Sequence, residues 1–400
     1  MHSRLAKPVL AALLIAPLAA SDPGRASPAA RAARAALDNG LARTPPMGWN
    51  SWNHFGCNVS EQLIKETADA IVASGMRDAG YRYVVIDDCW EVARDAAGAL
   101  VADSTRFPHG IKTLADYVHA KGLGFGIYTD AGTNTCQRRP GTYGHEDQDA
   151  RSFAAWGVDY VKEDWCHAEH LDAPTQYAKF RDALAKAGRP IVFSICEWGS
   201  NQPWEWAPQI GNLWRTTGDI QDKWSSMLSL LDLSSQHASV AHPGAWNDPD
   251  MLEVGNGGMT DDEYRAHFSL WAIMAAPLMA GNDVRAMSTA TRDILTNPEV
   301  IAVDQDSLGV QGMLVREGPP ALQVWAKPLK DGARAVALLN RGDTSATVTA
   351  RFDRLGIRTD SAAVRDLWTR ADRGAFKREY GATVPSHGVV LLRIAPIRTP

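Results

Sequence analysis

The chain alternates between short apolar runs that end in charge and longer stretches with apolar residues at helical spacing. The clearest run is Val158 to Cys166, V-D-Y-V-K-E-D-W-C, where β-branched and aromatic residues lead into Lys162, Glu163 and Asp164. Side chains alternate across a strand, so Lys162 and Asp164 share one face while Glu163 and Trp165 take the other. A local ion pair at an ordinary strand end would explain this segment alone. Repetition argues for more. Met47 to Trp52, Tyr83 to Ile86 before Asp87 and Asp88, Gly124 to Tyr128 before Asp130, and Ile191 to Ile195 before Cys196, Glu197 and Trp198 follow the same plan. So do Leu213 to Arg215 before Asp219, Ala245 to Asn247 before Asp248 and Asp250, and Pro277 to Ala280 before Asp283. Helical spacing separates them at Glu61 to Met76, Ile111 to Ala120, Glu146 to Trp156, Thr175 to Ala187, Trp224 to His237 and Asp261 to Ala275. Eight strands alternating with helices predict parallel βα units closed into a (β/α)8 barrel, an α/β fold whose reacting groups stand at the carboxyl ends of the strands.

After about Asn297 the helical spacing fades, and from Leu322 short alternating runs take over: Leu322 to Trp325, Ala335 to Leu339, Ala346 to Thr349 and Val389 to Leu392. Turns such as Lys330-Asp331-Gly332 and Arg341-Gly342-Asp343 part them, which predicts an antiparallel β-sandwich. The expected division is a leader at 1–37, a catalytic barrel at 38–308 and a β-domain at 309–400. The β-domain carries no acidic cluster and reads as a structural module.

Composition narrows the function. The chain has 400 residues, more than one barrel needs, with an ordinary 45% hydrophobic and 22% charged share. Net charge is -5 with no long basic run, so nothing favours nucleic acid, and no stretch of about 20 apolar residues outlines a membrane span. Trp49, Trp52, Trp90, Trp165, Trp198 and Trp246 fall at strand ends, where flat apolar rings suit the C–H faces of sugars as well as core filling. At the amino terminus, basic His2, Arg4 and Lys7 precede an apolar Val9 to Ala20 and then small residues, the grammar of an export signal, so a secreted protein is expected. Five cysteines, Cys57, Cys89, Cys136, Cys166 and Cys196, suit two disulfides and one free thiol, with the pairing open.

The chemistry on offer at the strand ends is carboxylates (Asp87, Asp88, Asp130, Asp164, Asp219, Asp248, Asp250), the cations Lys162 and Arg215, aromatic rings and a thiol. The histidines are scattered rather than at metal-ligand spacing, and no glycine-rich phosphate loop opens a helix, so neither metal nor cofactor is expected. Carboxylates with tryptophan are the equipment of glycoside cleavage, in which one carboxylate attacks or activates water and another protonates the leaving oxygen. Lys162 beside Asp164 is expected to keep that carboxylate ionised, and Asp219 is expected among apolar rings, holding its proton. Arg215, four residues before Asp219, would orient that acid or hold sugar hydroxyls.

The runs T-P-P-M-G-W-N-S-W-N, V-V-I-D-D-C-W, G-I-Y-T-D-A-G, D-Y-V-K-E-D-W-C, C-E-W-G, W-R-T-T-G-D-I and W-N-D-P-D-M-L-E-V-G-N-G-G-M resemble glycoside hydrolase family 27, the α-galactosidases, in unbroken order from Leu41 to about Gly312. The resemblance implies a (β/α)8 barrel with a carboxyl-terminal β-domain and a retaining, metal-free release of terminal α-galactose from raffinose-type sugars or galactomannan side chains. It implies Asp164 as nucleophile and Asp219 as acid/base. Asp87 and Asp88 would grip the 4- and 6-hydroxyls, Lys162 and Arg215 the ring hydroxyls, with Trp52 and Tyr128 as walls. Cys196, Glu197 and Trp198 would surround the 2-position, and Asp250 with Met251 would complete the pocket. The implied disulfides are Cys57 to Cys89 and Cys136 to Cys166. Glu163 and Trp165 depart from the commoner plant wording around the nucleophile, and by alternation they are expected to point away from the sugar. The alternatives are β-L-arabinopyranosidase or α-N-acetylgalactosaminidase activity of the same family, or a non-catalytic galactose binder. An unaltered Asp88 and bulky Cys196-Glu197-Trp198 favour galactose.

Overall fold

The computed structural model describes residues 37, 39–315 and 318–397, so the expected export signal lies outside the described residues. Ten strands come first: β1 Met47–Asn50, β2 Tyr83–Ile86, β3 Glu91–Arg94, β4 Leu100–Ala102, β5 Gly124–Asp130, β6 Tyr160–Asp164, β7 Val192–Ile195, β8 Leu213–Arg215, β9 Trp246–Asp248 and β10 Leu278–Ala280. Eight of them form one parallel sheet in the order β10-β1-β2-β5-β6-β7-β8-β9. Leu252, just past β9, bridges in parallel to Ala280 and donates its N–H to the Met279 carbonyl at 2.8 Å, which brings the sheet round on itself. All eight predicted strands are these eight. The remaining pair, β3 and β4, is an antiparallel hairpin at the top of β2 that the sequence pattern did not announce.

The alternation of side chains fixes what lies inside. Val85, Tyr160, Val192, Leu213, Trp246 and Met279 pack together as an apolar plug, with Ala275 beneath them. Two residues further along the same faces stand Asp87, Lys162, Ser194, Arg215 and Asp248, and two further again Asp164, Cys196 and Asp250. β2, β6, β8 and β9 thus run from oil to charge along their inward faces, while β7 ends in a hydroxyl and a thiol. Gly126 belongs to this plug: a Cβ there would lie 2.6 Å from Val85 Cγ2. Outward residues such as Val84, Ile86, Val161, Phe193 and Ile195 join the larger core beneath the helices.

The helices lie where the periodicity predicted them, with ends explained by caps. Ser60 Oγ accepts from Leu63 N at the start of Glu61–Ala73, and Thr260 with Glu263 makes a capping box on Asp261–Met274. One expectation needs correction. Helical structure does not stop at Asn297, because Asn297 caps a further helix, Pro298–Asp304, with proline in its first turn.

The β-domain follows as β11 Met313–Val315, β12 Leu322–Pro328, β13 Arg334–Asn340, β14 Ala346–Arg351, β15 Ser361–Asp366, β16 Ala371–Lys377, β17 Glu379–Val384 and β18 Val389–Pro396. A six-stranded sheet, β11-β12-β13-β18-β15-β16, faces the pair β14-β17 across a core that includes Val336, Leu338, Val348, Phe352, Val364 and Leu392. The central strands of the large sheet are covered on their other face as well. Trp325, Leu339 and Leu391 join the barrel's own core, and Lys327 reaches through to the carbonyls of Ala272 and Asp304.

Candidate active site

A cavity of about 460 Å³ opens at the carboxyl ends of the strands. Of the residues predicted for the site, Trp52, Asp87, Asp88, Tyr128, Lys162, Asp164, Trp198, Arg215, Asp219, Asp250 and Met251 line it. Cys196 and Glu197 do not reach its wall. The Cys196 thiol lies buried behind it, 3.7 Å from an Arg215 nitrogen. The Glu197 carboxylate turns away to accept from Asn201 N and Nδ2, and burial pushes it up to about 7.

Asp164 ends β6. Its Oδ2 accepts from the Tyr128 hydroxyl at 3.0 Å and its Oδ1 from Trp165 N at 3.0 Å. Burial raises its proton affinity above the usual carboxylate range, partly opposed by Lys162. The direct partner of Lys162 is not Asp164, as the sequence suggested, but Asp87 Oδ2 at 2.9 Å, which also accepts from Asn50 Nδ2 at 2.7 Å. Burial alone would depress the Lys162 ammonium, but Asp87, with Cys196 and Asp164, holds it well above its ordinary value. Asp88 is anchored from the opposite direction, accepting from Cys89 N, Thr135 Oγ1 and Gln137 N; burial nevertheless raises it.

Asp219 departs from expectation. Its side chain is 67% exposed rather than seated among rings, and Arg215 Nη2 holds it at 3.1 Å. The same nitrogen reaches Asp250 Oδ2 at 3.0 Å and the Thr217 carbonyl at 3.1 Å, so one buried guanidinium ties the rim to the floor. Asp250 adopts φ +93°, and Trp198 φ +58°, a backbone region costly for residues with a Cβ. The Asp250 carboxylate offsets that cost by accepting from Ile220 N at 2.8 Å and Met251 N at 2.7 Å, which also steadies the loop carrying Asp219.

The two disulfides are Cys57–Cys89 and Cys136–Cys166, each joining a strand-end residue to a neighbouring loop, with Cys196 free and buried. Glu163 and Trp165 point away from the cavity as alternation required. Glu163 is buried and accepts from Thr142 Oγ1, while Trp165 stacks on Tyr177 with ring centroids 5.2 Å apart.

Sequence reasoning missed Asn53, His54, Glu253 and Asn256, which share one network at the pocket mouth: Glu253 accepts from Asn53 Nδ2 at 2.6 Å and Asn256 Nδ2 at 2.5 Å, and His54 Nδ1 meets Asn256 Oδ1 at 3.1 Å. Burial pushes Glu253 up to about 7. Asn53 lies in the W-N-S-W-N run and Glu253 and Asn256 in the M-L-E-V-G-N run, as polar residues in the loops that follow strands, and His54 stands next to Asn53. Cys136, Ile220, Gln221 and Asp222 complete the lining. Among the described residues the one tight group of metal-ligand types, Asp130, Asp164, Cys136 and Cys166, has both its sulfurs in a disulfide.

Comparison with known proteins agrees with this geometry. A family model described as alpha galactosidase A matches residues 44–306, and one described as alpha galactosidase C-terminal beta sandwich domain matches residues 320–394. Alpha-galactosidase 2 of Arabidopsis thaliana is 54% identical over 358 residues, which is 88% of this chain and 90% of that protein. Alpha-galactosidase I from Mortierella vinacea superposes with a TM-score of 0.88 at 40% identity, covering 90% of this chain and 99% of that one. The alpha-galactosidase of Saccharomyces cerevisiae solved with raffinose gives 0.87 at 32% identity, over 90% and 99%. The chain therefore belongs to glycoside hydrolase family 27, the α-galactosidases.

Proposed function

We propose that this pocket releases terminal α-galactose by double displacement, with Asp164 as nucleophile and Asp219 as acid/base. The observation that carries the reading is a single cup lined by two carboxylates in opposite settings, one buried among hydrogen-bond donors and one open to solvent on an arginine. An Asp164 oxygen attacks the anomeric carbon as the glycosidic C–O bond breaks, and Asp219 gives its proton to the departing oxygen. Water then attacks the same carbon, returns a proton to Asp219 and frees Asp164, so the sugar keeps its α configuration. An exposed Asp219 suits this part, because both leaving group and water come from the open side. Asp87, Asp88 and Lys162 form a fixed polar floor for sugar hydroxyls, and Trp52 and Trp198 offer apolar faces at the wall.

The substrates we assign are raffinose-type oligosaccharides and galactomannan side chains, a reading supported by the raffinose bound to the yeast relative. We also read the protein as exported, which two disulfides support. The test is a pair of variants. Asp164→Asn abolishes turnover of an aryl α-galactoside with the fold intact, and azide restores turnover of an activated substrate by Asp219→Ala with an α-configured product. Full activity in Asp164→Asn, or a β-configured azide product, contradicts the assignment.

A further inference from the structure

We infer that Asp130 is a positioning residue for Asp164, holding the backbone that leaves the nucleophile. The inference rests on Asp164 as the nucleophile.

The sheet brings the two acids together. β5 and β6 are paired in parallel so that Tyr128 is beside Lys162 and Asp130 beside Asp164. Adjacent strands lie about 4.8 Å apart, and register neighbours share a face. The carboxylate oxygens accordingly approach within 4.8 Å. Asp130 is fully buried and does not line the cavity, so substrate does not touch it.

Its hydrogen bonds show what it holds. Oδ1 accepts from Gly132 N at 2.8 Å and Oδ2 from Cys166 N at 2.9 Å. Asp130 therefore fastens the loop after β5 to the backbone two residues past Asp164. The same seam is closed by the Cys136–Cys166 disulfide, whose sulfurs lie within 4.8 Å of both carboxylates. It also depends on Gly132, where a Cβ would stand 2.1 Å from the Cys166 carbonyl oxygen.

The charged and titratable groups around Asp164 come from several strands. Lys162 is on its own strand, Asp87 and Asp88 follow β2, Tyr128 and Asp130 come from β5, the Cys196 thiol follows β7, and Arg215 on β8 stands behind that thiol. Both cations are engaged elsewhere, Lys162 by Asp87 and Arg215 by Asp219 and Asp250. Burial and the neighbouring Asp164 hold Asp130 well above the usual carboxylate range, so Asp164 is the first of the pair to ionise and Asp130 acts on it through the backbone it fastens.

The experiment measures kcat and KM separately for an aryl α-galactoside, with melting curves as a fold control. In Asp130→Asn kcat falls at least tenfold while KM changes less than threefold; an unchanged kcat, or a loss confined to KM, overturns the inference. Asn offers only one acceptor for two N–H groups, so a second measurement covers a variant that fails to fold. Carboxyl-labelled aspartate NMR of Asp164→Asn shows Asp130 titrating at lower pH than in the natural protein, and an unchanged titration overturns the inference equally. Turnover surviving in Asp164→Asn would sink the nucleophile assignment itself, so the two failures are told apart.

Discussion

Asp164 must be ionised to attack, yet it sits where burial favours its neutral form. A folded-state proton affinity raised above the unfolded value means that the stabilisation belongs to the protonated form. It is fully present below the unfolded pKa and is lost as pH rises through the raised folded value. At neutral pH the nucleophile's charge therefore costs stability. Asp164→Asn, uncharged throughout, is expected to melt a few degrees higher than the natural protein near pH 7 and to lose that advantage in acid; calorimetry at two pH values checks it. An equal or lower melting point at both would count against a strained, ionised Asp164. The shared face of Lys162 and Asp164 was legible from alternation alone. The partner of Lys162 was not, because Asp87 comes from another strand and the choice depends on register. The exposure of Asp219 was equally hidden, since a loop held by Asp250 at φ +93° leaves no trace in residue spacing.

Strands and loops divide the labour differently. The barrel strands were readable because each is an apolar run of β-formers with a sharp polar end. The helix Pro298–Asp304 escaped notice since seven residues hold less than two full helical repeats. The hairpin β3–β4 was missed because E-V-A-R and L-V-A carry little apolar alternation, and β15 to β17 because arginine, aspartate and glycine interrupt theirs. At this scale the loops after β5 and β6 are the critical parts. Their disulfide spans 30 residues, and closing such a loop stabilises the fold by roughly 3–4 kcal/mol in the chain-entropy model. Replacing Cys136 and Cys166 together by serine is expected to lower the free energy of unfolding by that amount, read from denaturant titration, and to cut kcat more than tenfold, since the seam behind Asp164 loosens. Unchanged kcat in a folded variant would show that the loops hold themselves.

Across the whole molecule the barrel and β-domain form a joint core. Trp325, Leu339 and Leu391 from the large sheet pack into the barrel's cluster, and buried Lys327 satisfies itself on Ala272 and Asp304. Buried apolar area of this kind is worth about 25 cal/mol per Å². A chain ending at Leu308 is expected to be insoluble or to lack a cooperative melt, even though the catalytic carboxylates remain; a soluble, active truncation would contradict the shared core. The sequence announced two units through its change of period, but not that they share an interior, because an outward strand face looks the same whether it meets water or another sheet. The atom that bonds to the sugar decides the mechanism. Intact protein incubated with an activated 2-deoxy-2-fluoro-α-galactoside is expected to gain one fluorogalactosyl mass, located by peptide mapping on Asp164. A label on any other residue, or full turnover with no trapped species, would contradict it.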